Sequence, residues 1–252
     1  MINLTRIASV LALVACFTVA PQAVAAGGGG HIEPANIEHD NKASLRRGAR
    51  NFMNYCSGCH SAKYVRFNTI GKYLDLSEEQ LIDNLKFNAE KTFETIQAAM
   101  PAEVAAVWYG KAPPDMSLMA RAKGADYVYS FLKGFYVSEA SPSGVDNLIL
   151  AGTSMPHVLW ELQGYQEALF EVHENEDGSV TKSFQRFEQL SAGSMDAEDY
   201  DEFVRDTVNF LAYIAEPIRS DRRKIGVWVL MFLIFFYILA AQLKKAIWKD
   251  VS

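Results

Sequence analysis

A mainly α-helical exported domain carried on one membrane-spanning helix is the fold class this sequence predicts. Three observations lead there: amphipathic stretches of helical period through the body of the chain, an apolar leader at the start, and one long apolar run near the end. The leader, MINLTRIASVLALVACFTVAPQAVAA, carries one positive charge at Arg6, then an uncharged apolar run, then Ala23 and Ala25 in an A-x-A arrangement. That is the pattern of a secretory signal peptide over residues 1–26, with cleavage near Ala25 or Ala26. A lipoprotein signal ending at Cys16 is the competing reading, but the apolar run continues past Cys16 and the better cleavage site follows it.

The second apolar run, Ile225 to Leu243, holds no acid or base apart from Tyr237. Its 19 residues would cover roughly 28 Å as a helix, close to the hydrocarbon thickness of a bilayer. Arg222, Arg223 and Lys224 precede it and Lys244, Lys245 and Lys249 follow, with Trp228 and Trp248 at interfacial depth. These signals divide the chain into an exported domain over 27–220, an anchor over 221–246 and a tail over 247–252. Since the leader exports the N-terminal body, the tail is expected in the cytoplasm and the body in the periplasm, on a bacterial inner membrane.

Within the body, Lys42 to Cys56 lies in a first predicted helix over 40–56, and short helices are expected over Leu81–Phe87 and Phe93–Met100, the second stopped by Pro101. A further helix is expected over Asp115–Tyr136, with Asp115 as N-cap, because Met119, Ala122, Tyr129, Leu132 and Tyr136 recur at helical spacing. SPSGVDNLILAGTSMPH, rich in turn formers, reads as loop, and residues 168–187 alternate around Asp177-Gly178 as a short β-hairpin. Ser194–Ala215 is the strongest helix, capped by Ser194 or Asp196, and its stripe of Phe203, Val204, Val208, Leu211, Tyr213 and Ile214 is expected to pack on the first helix.

The run CSGCH at residues 56–60 carries the chemistry. Two thiols at this spacing can add to the two vinyl groups of a haem, and the adjoining imidazole then serves as an axial ligand. Cys56 and Cys59 are therefore the expected attachment points of one haem c, with His60 on the iron. A zinc site would need a second pair of ligands, and the remaining cysteine, Cys16, lies in the leader. A thioredoxin-like dithiol would follow a strand, whereas NKASLRRGARNFMNY before the motif is helical and amphipathic.

A haem that carries electrons takes a second axial ligand, and a methionine thioether stabilises the ferrous state. Met53 and Met119 fall on helix faces and suit core packing; Met100 and Met155 both precede proline. Met155 is the better placed, since GTSMP lies in a loop able to curve over a haem face, and His157 is its rival as an imidazole ligand.

The formal net charge of −6 makes nucleic acid an unsuitable partner. Acidic residues gather late in the body, at Glu171, Glu174, Glu176 and Asp177 and again at Asp196, Glu198, Asp199, Asp201 and Glu202. Such a face can steer a basic soluble partner or can simply be solvated surface.

Taken in order, CSGCH, APPDMSLMARAKGADYVYSFLKGFY, GTSMPHVLWELQG and RRKIGVWVLMFLIFFYILA closely resemble the bacterial cytochrome c1 family. The resemblance runs from about residue 35 to the end of the chain. It implies a cytochrome c fold with enlarged loops, Met155 as distal ligand, and contacts from Arg121 and Tyr127 to the haem propionates. Lys123 stands where that family commonly has arginine, replacing a bidentate fork by a point charge. The resemblance further implies an electron-transfer subunit of quinol–cytochrome c reductase rather than an enzyme in its own right. Its expected neighbours are cytochrome b and a Rieske iron–sulfur protein, with a soluble cytochrome c as acceptor and the bilayer around residues 225–243. A haem enzyme with an open iron position, and a membrane-tethered c-type carrier or haem sensor acting alone, are the rival classes.

Overall fold

A computed structural model describes residues 32–174 and 180–249. The leader, the Asp177-Gly178 turn and the last residues of the tail, all expected from the sequence, lie outside the described residues.

The first helix, α1 (Lys42–Asn51), starts where Asn41 turns its side chain back to accept from the Ser44 amide at 3.1 Å. It runs directly into a single π turn over Phe52–Cys56. Widening the last turn changes its phase, so Phe52 and Met53 stay in the core while Cys56 leaves on the side of the cavity described below. Strand β1 (Ala62–Arg66) follows, then helices α2 (Phe67–Tyr73) and α3 (Glu78–Asn84). Helix α3 begins with a reciprocal capping box between Ser77 and Gln80.

Residues 93–100 depart from the helix expected of them. Thr95–Ile96 forms strand β2, antiparallel to β1, and the amides of Ala99 and Met100 donate to the carbonyls of Ser57 and Gly58 at 3.2 and 2.9 Å. The segment thus satisfies the backbone of the CSGCH run instead of its own. Pro101 does not stop a helix but opens one, α4 (Ala102–Tyr109).

The helix expected over 115–136 is broken in two, α5 (Met119–Lys123) and α6 (Ala125–Lys133), because Gly124 adopts φ +95 between them. Asp115 caps neither: its two carboxylate oxygens accept from the backbone amides of Ser117 and Lys63 at 2.9 and 2.8 Å. Strand β3 (Phe135–Val137) takes up the end of the stretch expected as helix and pairs with β4 (Val145–Asn147), which lies in the stretch read as loop; a turn of helix, α7 (Trp160–Gln163), leads into the hairpin. The hairpin strands β5 (Gly164–Glu174) and β6 (Val180–Ala192) are longer than expected at both ends. Gln166 fixes their root by donating to the carbonyls of Lys133 and Phe135.

Helix α8 (Ala197–Ala215) is capped by Asp196, whose Oδ1 accepts from the amides of Glu198 and Asp199 at 3.0 and 2.9 Å. It packs on α1 as its apolar stripe predicts: Leu45, Ala49, Val204 and Val208 are buried, and Phe52 meets Phe210 with ring centroids 5.9 Å apart. Buried polar side chains are matched across the same seam, Asn51 to Thr207 and Asn209 to Ser44. Arg47 forks onto the buried carboxylate of Asp206 and also reaches Glu202 at 2.8 Å. On the other flank of α8, Lys133 binds Asp201 at 2.6 Å, Glu33 at 2.7 Å and the Tyr129 hydroxyl at 3.2 Å. Burial works against its charge, but those three partners outweigh it and raise its pKa. Asp196, Asp201 and Glu202 of the late acidic residues are thereby engaged within the fold.

Helix α9 (Arg219–Ile247) extends away with none of its residues buried, and at about 1.5 Å per residue its 29 residues cover about 43 Å. Its apolar middle is long enough and apolar enough to cross a membrane. The first turn is tied to the body through Arg219 to His39 and through Ser220, which donates to Asp40 at 2.6 Å.

Gly48 sets the spacing of α1 and α8, since a Cβ there would lie 2.0 Å from the Asp206 carbonyl oxygen and 2.8 Å from the Phe210 Cβ. Gly48→Ala is expected to force the helices apart and destabilise the domain by about 2–3 kcal/mol, the upper part of the range for overpacking. Thermal unfolding followed by circular dichroism measures it; an unchanged melting temperature would show that the seam yields freely.

Candidate functional site

The π turn delivers the CSGCH run as a tight loop in which the amides of Cys59 and His60 both donate to the Cys56 carbonyl, at 3.0 and 2.8 Å. Cys56 and Cys59 are half-buried and not bonded to each other. Burial, with a smaller contribution from Cys59, pushes the Cys56 thiol up to about 12.

Both cysteines and His60 face a partly open, apolar-walled cavity of about 300 Å³. The imidazole is set by one hydrogen bond: Nδ1 lies 2.8 Å from the Pro114 carbonyl oxygen, which can only accept. Nδ1 therefore carries the proton, and Nε2 presents its lone pair. Burial lowers the pKa of His60, against smaller opposing effects of Pro114 and Asp115, and so keeps the ring in the neutral form that ligates metals.

Met155 lines the same cavity, although 95 positions separate it from His60 in the chain. Its loop is pinned from both sides. Before it, the buried Asn147 accepts from the amides of Ile149 and Leu150, donates to the Phe131 carbonyl at 2.8 Å, and its neighbour Asp146 accepts from the Gly152 amide. After it, His157 lies flat on the Phe135 ring, with centroids 5.1 Å apart and planes within 8°. His157 is thus turned away from the cavity that Met155 enters. Burial drives its pKa down to about 4, and the polar groups of Gly164 and Gln163 oppose the shift without reaching hydrogen-bond geometry.

A match to the Cytochrome C1 family extends over residues 34–251. The chain belongs to the cytochrome c1 family. It is 44% identical to cytochrome c1 of Allochromatium vinosum, over 96% of this chain and 98% of that one. It is 39% identical to a protein of Nitrosomonas europaea named ammonia monooxygenase gamma subunit, over 87% and 88% of the two chains. The mitochondrial cytochrome c1 haem protein of Saccharomyces cerevisiae is 26% identical over 83% of this chain and 68% of its own. As a cytochrome c1, the chain is an electron-transfer subunit of the cytochrome bc1 complex that carries covalent haem c, held to the membrane by its apolar C-terminal helix.

The cavity fits that group: two thiols from one turn, an imidazole with a free Nε2, and a thioether from a separate loop share one apolar chamber. Of the two residues that the resemblance assigned to the propionates, Tyr127 lines the chamber and Arg121, exposed on α5, does not. Lys123 lines it instead, with its ammonium 5.5 Å above the Tyr127 ring. Met116 and Met119 also reach the chamber, Met116 from a loop held beside His60 by its amide bond to the Ser61 carbonyl. The Pro-Pro-Asp segment, which the resemblance sets against the haem, supplies the carbonyl of Pro114 that orients His60, a contact that the sequence alone did not assign.

His157→Phe keeps the flat contact with Phe135 and removes two ring nitrogens that have no partner, so its stability cost is expected to be under about 1 kcal/mol. The optical spectrum of the haem is expected to be unchanged. A shift to a high-spin spectrum in this variant would make His157 an iron ligand.

Proposed function

We propose that Cys56 and Cys59 hold one haem through thioether bonds, that His60 and Met155 fill both axial positions, and that the chain passes single electrons from a Rieske iron–sulfur protein to a soluble cytochrome c. The observation that carries the reading is the shared chamber: Met155 joins the CSGCH run there, while His157 faces elsewhere. The haem supplies a ferric–ferrous couple when bound. The polypeptide does the remainder. Pro114 holds the His60 proton on Nδ1 and fixes the ring's rotation. Asn147 and His157 hold the Met155 loop in place, so that Met155 would serve as the second protein ligand and leave no room for a substrate at the metal. A thioether in that position favours the reduced state and raises the potential. Phe52, Phe131 and Leu211 give the chamber apolar walls, a lining that would favour the less charged, reduced state of a bound haem.

The partners in this reading are cytochrome b and the Rieske protein within one complex. The leader over residues 1–26 is removed on export, the domain over 27–220 stands in the periplasm, α9 crosses the inner membrane within residues 221–246, and residues 247–252 remain in the cytoplasm. The tie between the first turn of α9 and His39 and Asp40 supports a haem domain held at a set height above the bilayer.

Met155→Ala is expected to retain covalent haem on a denaturing gel but to lose the methionine–iron charge-transfer band at the red end of the spectrum. The midpoint potential is expected to fall by roughly a few tenths of a volt, within the ~0.8 V that axial ligands command. A native haem that is already five-coordinate and high-spin would overturn the assignment. Purification in mild detergent tests the partners: a b-type haem and a Rieske centre are expected to co-isolate, and their absence would favour a free carrier.

A further inference from the structure

The strand that leaves CSGCH and the loop that follows Pro114 are tied together three times. Met116 donates its amide to the Ser61 carbonyl at 2.7 Å, the Lys63 amide donates to Asp115 Oδ2 at 2.8 Å, and the Tyr64 amide donates to the Ser117 hydroxyl at 3.1 Å. Asp115 also folds the loop on itself, its Oδ1 accepting from the Ser117 amide at 2.9 Å. One carboxylate therefore serves both the loop and the strand. These ties bracket the hydrogen bond that sets the imidazole: Lys63 comes three residues after His60, and Asp115 directly follows Pro114, whose carbonyl oxygen lies 2.8 Å from His60 Nδ1.

The placement has an electrical side as well. Both of these partners of Asp115 are neutral amides, which satisfy its oxygens without cancelling its charge. That charge reaches the ring, where it favours the cationic form of His60 against the burial that disfavours it. The same field acts on an iron bonded to Nε2, which gains one positive charge on oxidation. A carbonyl on the Nδ1 proton already makes the imidazole a stronger donor, and a carboxylate behind that carbonyl adds to the effect.

We propose that Asp115 is a positioning residue for the iron: it holds the Pro114 carbonyl on His60 Nδ1 and keeps a negative charge on that side of the chamber, which draws the couple toward the ferric state. With His60 as the iron ligand proposed above, on which this rests, Asp115 works against Met155. The thioether favours the reduced iron and the carboxylate the oxidised one, so the potential is set between them. Aspartate suits both tasks. In Asp115→Asn one of the two acceptor oxygens becomes an NH2 facing an N–H donor, and the charge is gone. Asp115→Glu keeps the charge but displaces both ties by a methylene.

The test is a redox titration of the c-type haem in the detergent-solubilised complex, read from its optical bands, with the ferric EPR g values as a second readout that follows the plane of the His60 ring. In Asp115→Asn the ferrous-to-ferric ratio at a fixed ambient potential is expected to rise about tenfold, which for a one-electron couple is a shift of ~59 mV. Asp115→Glu is expected to cancel most of that shift, while its g values move away from those of the wild type. Equal potentials in wild type, Asp115→Asn and Asp115→Glu would leave Asp115 a structural tie alone and overturn the inference. Equal rises in the two variants would overturn it too, since one of them still carries the charge. If Asp115→Asn does not assemble, Asp115→Glu decides by itself: altered g values at a potential near that of the wild type support the orienting role, and unchanged g values overturn it. A wild-type haem without a six-coordinate spectrum would instead sink the ligand assignment, whatever the variants do.

Discussion

Everything in the haem domain hangs on the near-contact of α1 with α8. Only glycine at position 48 lets the two backbones approach so closely, and the Arg47 fork then holds a buried Asp206 carboxylate that could not stand there alone. Removing Arg47 would leave the Asp206 carboxylate buried and unmatched. The site inherits this constraint directly. The same α1 that is clamped to α8 continues into the π turn, so the position of Cys56 is a consequence of where Gly48 sits. Thr207 and Leu211 of α8 close the chamber from behind, which makes the two helices both the core of the fold and a wall of the site.

The second half of the site is held by different means. No long helix carries Met155; its loop is fixed by side chains that satisfy backbone groups, chiefly Asn147, and by the stacking of His157 on Phe135. A loop so tied has few states to lose when a ligand bond forms, which favours a closed iron over an open one. In the function proposed above, that closure would leave a bound haem able to exchange electrons and to bind nothing else.

Local chemistry was legible in the sequence, and long-range geometry was not. CSGCH declares its thiols and imidazole within five positions, and α8 announces itself through an unbroken apolar stripe and an aspartate cap. The split at Gly124 escaped the periodicity because the spacing of Met119, Tyr129 and Leu132 tolerates a break that only the backbone angle reveals. Residues 93–100 were misjudged since their hydrogen-bond partners, β1 and the CSGCH carbonyls, lie some 30–40 positions earlier in the chain. That Met155 lines the chamber while His157, two positions away, stacks on Phe135 emerges only from the fold. Arg121 and Lys123 differ in the same way, one outside the chamber and one at its edge, although the sequence offers both on one short helix.

The joint between Glu216 and Ser220 has a mechanical meaning. Arg222 closes back on Glu216 at 2.6 Å while Arg219 and Ser220 grip His39 and Asp40, so the anchor enters the body without a slack linker. An α-helix advances about 100° per residue, as its 3.6-residue turn requires. With no slack to absorb it, one residue inserted or deleted here would swing the whole haem domain around the bilayer normal by that angle. The length of this short segment therefore acts as an angular gauge: it sets which side of the domain faces the neighbouring subunit and which faces open water.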